Sequence, residues 1–162
     1  MKMKFVRDYP IEQTMKFDLQ YEPELQMDIE EKTEILSKSI VAFLIITDEE
    51  AGVFDYLAGE AYGLCPTDFD EQIEDLEGED LDSIYLYSLT IDPEVQGMGL
   101  GTALLTYWLG IVSTTQYKSV TSHSTAELMD WVFKAHSFEF TGIEHEKWYG
   151  TERTAKLVRL KL

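Results

Sequence analysis

The chain has 162 residues, 44% of them apolar, which suits one domain with a sizeable core. Its 31 acidic and 13 basic residues give a net charge of −18. That excess lies wholly in residues 1–100, with 25 acidic and 6 basic residues, whereas residues 101–162 hold 6 and 7. A field of this sign repels nucleic-acid phosphate and anionic lipid and attracts cations, which argues against nucleic-acid and membrane partners.

A single cysteine, Cys65, rules out an internal disulfide and a cysteine metal cluster. The longest apolar run, Ile40 to Ile46, is strand length, and Met1 to Asp8 lacks the apolar centre of a signal peptide. A soluble, cytoplasmic protein is the expectation.

Lys4 to Tyr9 alternates weakly and reads as a first strand, with Pro10 suited to the start of a helix. Residues 11–26 carry no clear period. Asp28 to Leu36 has an acidic first turn and reads as a helix. Ser39 to Thr47 and Val53 to Leu64 flank a polar turn with Gly52, so they read as a hairpin. Gly59 and Gly63 mark a bulge or a close backbone approach.

Asp68 to Asp82 holds nine carboxylates and no basic residue. Such a run tends to stay solvated and mobile, either as a plain surface loop or as a cation-attracting rim beside a cleft. Its spacing does not match a calcium-binding EF-hand loop.

Ile84 to Ile91 is rich in β-branched, aromatic and aliphatic residues and reads as a strand that Pro93 ends. Glycines follow at 97, 99 and 101. Behind them Leu100, Ala103, Leu104, Tyr107, Trp108, Ile111 and Val112 mark one stripe of an amphipathic helix. A glycine-rich turn opening a helix suits an anion. The first helical N–H groups lack partners, the dipole adds positive charge, and glycine lets a phosphate approach the backbone. No lysine follows as a Walker A loop requires, and Thr102 stands where a dinucleotide fingerprint needs its third glycine.

The pattern Gln96-x-x-Gly99-x-Gly101, with Leu89-x-Ile91-x-Pro93 before it and Leu104-Leu105 after it, resembles the acetyl-CoA-binding motif of the GNAT family of N-acetyltransferases. The resemblance implies an α/β (α+β) fold: one domain over residues 1–162, with a mixed, mostly antiparallel sheet of six to seven strands flanked by helices. It implies acetyl-CoA as acyl donor. The main chain of Leu89, Thr90 and Ile91 would pair with the pantetheine arm along a splayed strand edge. Gln96, Gly97, Met98, Gly99, Leu100, Gly101 and Thr102 would hold the pyrophosphate. The arginine or lysine that family members often carry in this loop is missing.

Lys118 to His123 reads as a short strand, and Ser124 or Thr125 can cap a helix with Glu127 early in it. Val132 to Phe138 resembles the end of the family's Leu-Tyr-x-x-x-Gly-Phe segment. Ser137 replaces its glycine, and Phe133 replaces the tyrosine that protonates the leaving thiolate. Phe138 to Thr141 and Ala155 to Leu162 read as the last two strands, joined by a loop through His145 and Trp148 to Gly150.

With that tyrosine gone, the candidate catalytic residues are His123, Ser124 with its neighbour Thr125, and Tyr85. His123 has an unperturbed pKa suited to acid–base work, Ser124 begins the following helix, and Tyr85 stands where some relatives carry a glutamate base. Glu60, or a carboxylate of the acidic segment, is an alternative base through a water relay. Tyr85, Tyr87 and Leu89 are expected on one strand face. No set of His, Cys and Glu has metal-ligand spacing, so no metal is expected.

The implied activity is direct acetyl transfer to a primary amine. The acidic field points to a cationic acceptor, either a small polyamine-like molecule or a basic protein's lysine or N-terminus. The competing reading is a catalytically silent GNAT-fold module that binds a basic partner by its acidic face. A homodimer is compatible with either.

Overall fold

The computed structural model describes residues 1–162. Seven strands form one open sheet: β1 (Lys2–Val6), β2 (Ile40–Asp48), β3 (Val53–Leu64), β4 (Ile84–Ile91), β5 (Ser119–Ser124), β6 (Glu139–His145) and β7 (Ala155–Lys161). Their order across the sheet is β1-β2-β3-β4-β5-β7-β6. Every pairing is antiparallel except β4 with β5, which run parallel. Four helices complete the fold: α1 (Ile11–Phe17), α2 (Ile29–Lys38), α3 (Leu100–Val112) and α4 (Glu127–Ala135).

The two faces of the sheet bury different sets. One carries α3 and α4 over a cluster that includes Leu44, Ala61, Leu86, Leu104, Trp108, Val120 and Phe133. Trp108 is fully buried, and its Nε1–H donates to the Ile40 carbonyl at 2.9 Å. The other face carries α1 and α2 over Phe17, Val41, Phe43, Ile45, Leu57 and Tyr62. Asp28 caps α2 by accepting from the Glu31 amide at 2.8 Å, a favourable use of the orphan first-turn donors.

Buried charge ties the second face together. Lys32 of α2 is fully buried, with Nζ 2.8 Å from Asp18 Oδ2 and 2.9 Å from Glu60 Oε1 of β3. It also lies 4.5 Å over the Tyr62 ring. The sequence offered no period over residues 11–26. The structure makes them a short helix and two 3₁₀ turns held by this ion group.

β4 is irregular where the fold needs it to be. Its register against β3 slips between Tyr62 and Gly63, a bulge that places Tyr87 between paired residues. The bulge inverts the strand's facing. Tyr85 and Tyr87 therefore pack away from α3, whereas Leu89 joins Leu86 and Ile91 on the α3 side. The expected shared face for Tyr85, Tyr87 and Leu89 is corrected accordingly. Pairing of β4 to β5 stops at Leu86 opposite Ser122, so the two parallel strands separate beyond that point.

Three local readings also change. The start of α4 is Ala126, without a side-chain cap; Ser124 stays in β5 and its hydroxyl donates to Asp130 at 2.6 Å. Ser137 does take the left-handed conformation, φ +64°, that glycine would fill in the motif. The acidic segment exposes seven of its nine carboxylates but is anchored at several points. Ile73 and Leu76 are buried against Tyr85 and Leu157, and Asp80 makes two bonds of 2.7 and 2.6 Å to Arg159 of β7. The cation that neutralises Asp80 comes from 79 residues away.

Candidate active site

A cleft of about 530 Å³ opens where β4 and β5 part. Its base is the free edge of β4 through Leu89, Thr90 and Ile91. One end is the glycine turn and the start of α3, one wall is α4, and the far end lies between Tyr21 and Leu25 on one side and Trp148, Tyr149 and Arg153 on the other.

The glycine turn suits an anion. Gly97 and Gly99 take φ +79° and +77°, and no protein atom lies within 4 Å of where a side chain would begin. Both positions require the left-handed backbone that glycine adopts freely. The amides from Gly97 to Thr102 make no hydrogen bond within the protein. They sit at the positive end of α3, a 13-residue helix. Gln96 braces the turn, its side-chain amide donating to the Ile91 carbonyl at 2.9 Å. Met98 points outward and is exposed, so only its amide faces the turn's work. Gly97, Gly99, Leu100, Gly101 and Thr102 all border the cleft.

At the apex of the split, Tyr85 of β4 and His123 of β5 meet. The Tyr85 hydroxyl lies 2.7 Å from His123 Nδ1. His123 Nε2 lies 3.3 Å from Asp75 Oδ2 in the acidic segment. These partners assign the neutral tautomer: Nε2–H donates to the carboxylate, and Nδ1 accepts from the phenol. Burial holds the His123 imidazolium down, to a pKa of about 4, with Asp75 opposing. The free-histidine pKa expected from sequence is corrected by this desolvation. Burial also pushes the Tyr85 phenol well above its usual range. Both groups rest neutral at pH 7.

Ser124, Phe133 and Glu60 take three different positions. Ser124 lines a smaller neighbouring hollow with Asp130 and Lys156, outside the main cleft. Phe133 borders the cleft, but its ring is buried edge-on to Phe138 and it has no hydroxyl to offer. Glu60 lies fully buried beneath Tyr21, whose hydroxyl is 2.9 Å from Oε1 and also reaches Ser88 and Thr90. Burial pushes the Glu60 carboxyl up to about 8, Lys32 opposing and Asp18 adding to the rise.

The far end of the cleft was not legible in sequence. Arg153 Nε donates to Glu22 Oε1 at 2.8 Å and ties the turn after α1 to the turn Trp148–Gly150. Tyr21, Tyr87, Trp148 and Tyr149 give this end aromatic walls, and no carboxylate lines any part of the cleft. Glu74, Asp75 and His145 bring ligand atoms within 4.8 Å of one another, a grouping that spacing along the chain does not reveal. Its central carboxylate is already bonded to His123.

No protein-family model and no curated protein sequence matches the chain. Solved structures do. The NAA60 protein of Arabidopsis thaliana, solved with a bisubstrate analogue, superposes with TM-score 0.75 at 14% identity, covering 99% of each chain. YncA of Salmonella typhimurium, solved with acetyl-CoA, gives 0.71 at 13% identity, covering 100% of this chain and 95% of its own. The ribosomal-protein-S18-alanine N-acetyltransferase of Escherichia coli gives 0.69 at 13% identity, covering 99% and 94%. The open mixed sheet, its split between two parallel strands and these full-length superpositions show that the chain has the fold of the GNAT acetyltransferases.

Proposed function

We propose that this single domain transfers the acetyl group of acetyl-CoA to a primary amine by direct attack. The observation that carries the reading is the continuity of the cleft. An unpaired strand edge leads from unbonded amides at a helix start to a hydrogen-bonded Tyr–His pair at the point where the strands part.

In this reading the amides from Gly97 to Thr102 hold the pyrophosphate, with the helix dipole replacing the missing loop cations. The main chain of Leu89, Thr90 and Ile91 pairs with the pantetheine arm as an added strand would. A main-chain N–H near Leu89 polarises the thioester carbonyl. The attacking nitrogen must shed a proton as its C–N bond forms and the C–S bond breaks. Tyr85 oxygen accepts that proton while its own passes to His123 Nδ1. The proton returns by the same pair to the leaving sulfur, so the products are the amide and the free thiol. A neutral imidazole at rest suits this exchange. Ser124, held by Asp130 outside the cleft, takes no part.

The acceptor enters between the Tyr21 and Tyr149 sides. The charge of −18 draws an ammonium toward the protein. No carboxylate lines the cleft to pair with a second ammonium. This favours the N-terminus or a lysine of a protein over a polyamine. Structures solved with a bisubstrate analogue, and of an enzyme acting on a ribosomal protein's alanine, support an acceptor of that kind.

The test is thiol release from acetyl-CoA in the presence of peptide amines, with Tyr85→Phe beside the wild type. Release that needs both substrates, and that falls ~10²-fold or more in the variant, is expected. A wild type that binds acetyl-CoA but releases no thiol with any amine would favour the silent binding module instead.

A further inference from the structure

We infer that Asp75 is a positioning residue for the His123–Tyr85 pair, which makes the acidic segment part of the catalytic apparatus. This rests on the acetyl-transfer reading above for its consequence, but not for its geometry.

The acidic segment is built to present one carboxylate. Ile73 and Leu76 anchor it on either side of Asp75, buried at 5% and 2% exposure in the cluster that contains Tyr85. Outside these anchors, Asp80 pairs with Arg159. Between these anchors Asp75 adopts φ +65°, the left-handed region that non-glycine residues enter at a cost and that aspartate tolerates better than most. In that conformation Oδ2 reaches His123 Nε2 at 3.3 Å and His145 Nδ1 at 3.8 Å. No lysine or arginine pairs with Asp75, so its charge is directed at imidazole alone. The Tyr85 phenol can donate or accept, whereas the Asp75 carboxylate can only accept, so Asp75 decides the tautomer. Tyr85 occupies Nδ1, Trp148 packs its ring 4.3 Å from the imidazole, and His145 faces the same carboxylate from β6.

Two effects follow. Accepting from Nε2–H leaves Nδ1 as the lone-pair nitrogen facing Tyr85, the tautomer the proton exchange requires. The carboxylate also stabilises the imidazolium while it carries the amine proton. The eight other carboxylates of the segment have no such role, and Asp80 serves as the control.

The decisive experiment is nitrogen-15 NMR of the histidine side chains at pH 7, without substrate, in wild type, Asp75→Ala, Asp75→Asn and Asp80→Asn. The wild type should show His123 fixed with its proton on Nε2. Asp75→Ala should give an averaged tautomer, and Asp80→Asn should leave the His123 signals in place while lowering the melting temperature. In the thiol-release assay, Asp75→Asn should lower kcat ~10-fold or more, below the ~10²–10⁴ that acid–base catalysis supplies in full, with KM for acetyl-CoA within about 2-fold. Unchanged His123 signals in Asp75→Ala would overturn the inference whatever the activity. A fixed tautomer that Asp75→Ala averages, in a protein without turnover, would uphold the positioning and sink the acetyl-transfer reading alone.

Discussion

Lys32→Met removes the one cation from a buried group of three titratable side chains. In the native protein Lys32 Nζ lies 2.8 Å from Asp18 and 2.9 Å from Glu60, and all three side chains are at most 4% exposed. Without the lysine, two carboxyls remain in the dry interior with no positive partner, and Glu60 Oε2 already lacks any hydrogen bond. Removing one member of a buried pair costs about 3–5 kcal/mol. Glu60 adds little to that penalty, because burial has raised its carboxyl to about 8 and it is mostly protonated at pH 7; the variant strands chiefly the Asp18 carboxylate. The expected loss at pH 7 is therefore at the lower end, about 3 kcal/mol. With a urea slope of about 2 kcal/mol/M, the unfolding midpoint should fall by roughly 1.5 M. Adding Asp18→Asn and Glu60→Gln to Lys32→Met removes the stranded charges and should restore most of the loss. Urea titration followed by circular dichroism checks both variants. A midpoint for Lys32→Met within about 0.3 M of wild type would refute the reasoning.

Further outcomes follow from single residues. His123 titrates near 4 when folded and near 6.5 when unfolded, so the unfolded chain binds more protons between those values. Stability should thus rise with pH across that window by up to ~3 kcal/mol, and His123→Asn should flatten the rise in urea melts at pH 5 and 7. At Gly63 an added methyl would press on the Tyr85 carbonyl oxygen and come within 2.9 Å of Trp108 Cζ2. Gly63→Ala should therefore destabilise by ~3 kcal/mol or fail to fold, whereas Gly142→Ala, with open space but φ +84°, should cost about 1 kcal/mol of strain. Arg153→Ala unties Glu22 and the two turns at the far end of the cleft. It should raise KM for a peptide acceptor several-fold while leaving acetyl-CoA affinity within about 2-fold, as steady-state kinetics and calorimetry would show.

The readable parts of the sequence were those governed by local rules. Alternation, turn glycines and the Leu100 to Val112 stripe fix β2 to β4 and α3 because each element states its own buried face. The glycine turn was legible because positive φ and open space demand glycine. Tyr85 and His123 were both picked out from their places, yet their contact spans 38 residues and no pattern announces it. The acidic segment was half legible: its exposure follows from charge density, but nothing along the chain points to Arg159, which neutralises Asp80 from another strand. Its visible signals of burial were Phe69 and two apolar residues three apart, Ile73 and Leu76. The facing of Leu89 misled for a related reason: period-two counting assumes a regular strand, and the bulge at Tyr87 resets it.

Calorimetric titration of acetyl-CoA into wild type, Gly99→Asn and Gly99→Asp tests the central claim most directly. Asparagine tolerates the left-handed backbone at φ +77°, so it isolates the added side chain from the added charge. Micromolar binding by the wild type, modestly weakened by asparagine and abolished by the aspartate, is the predicted result. Equal affinity in Gly99→Asn and Gly99→Asp, or no wild-type binding at millimolar acetyl-CoA, would contradict a pyrophosphate held on these amides.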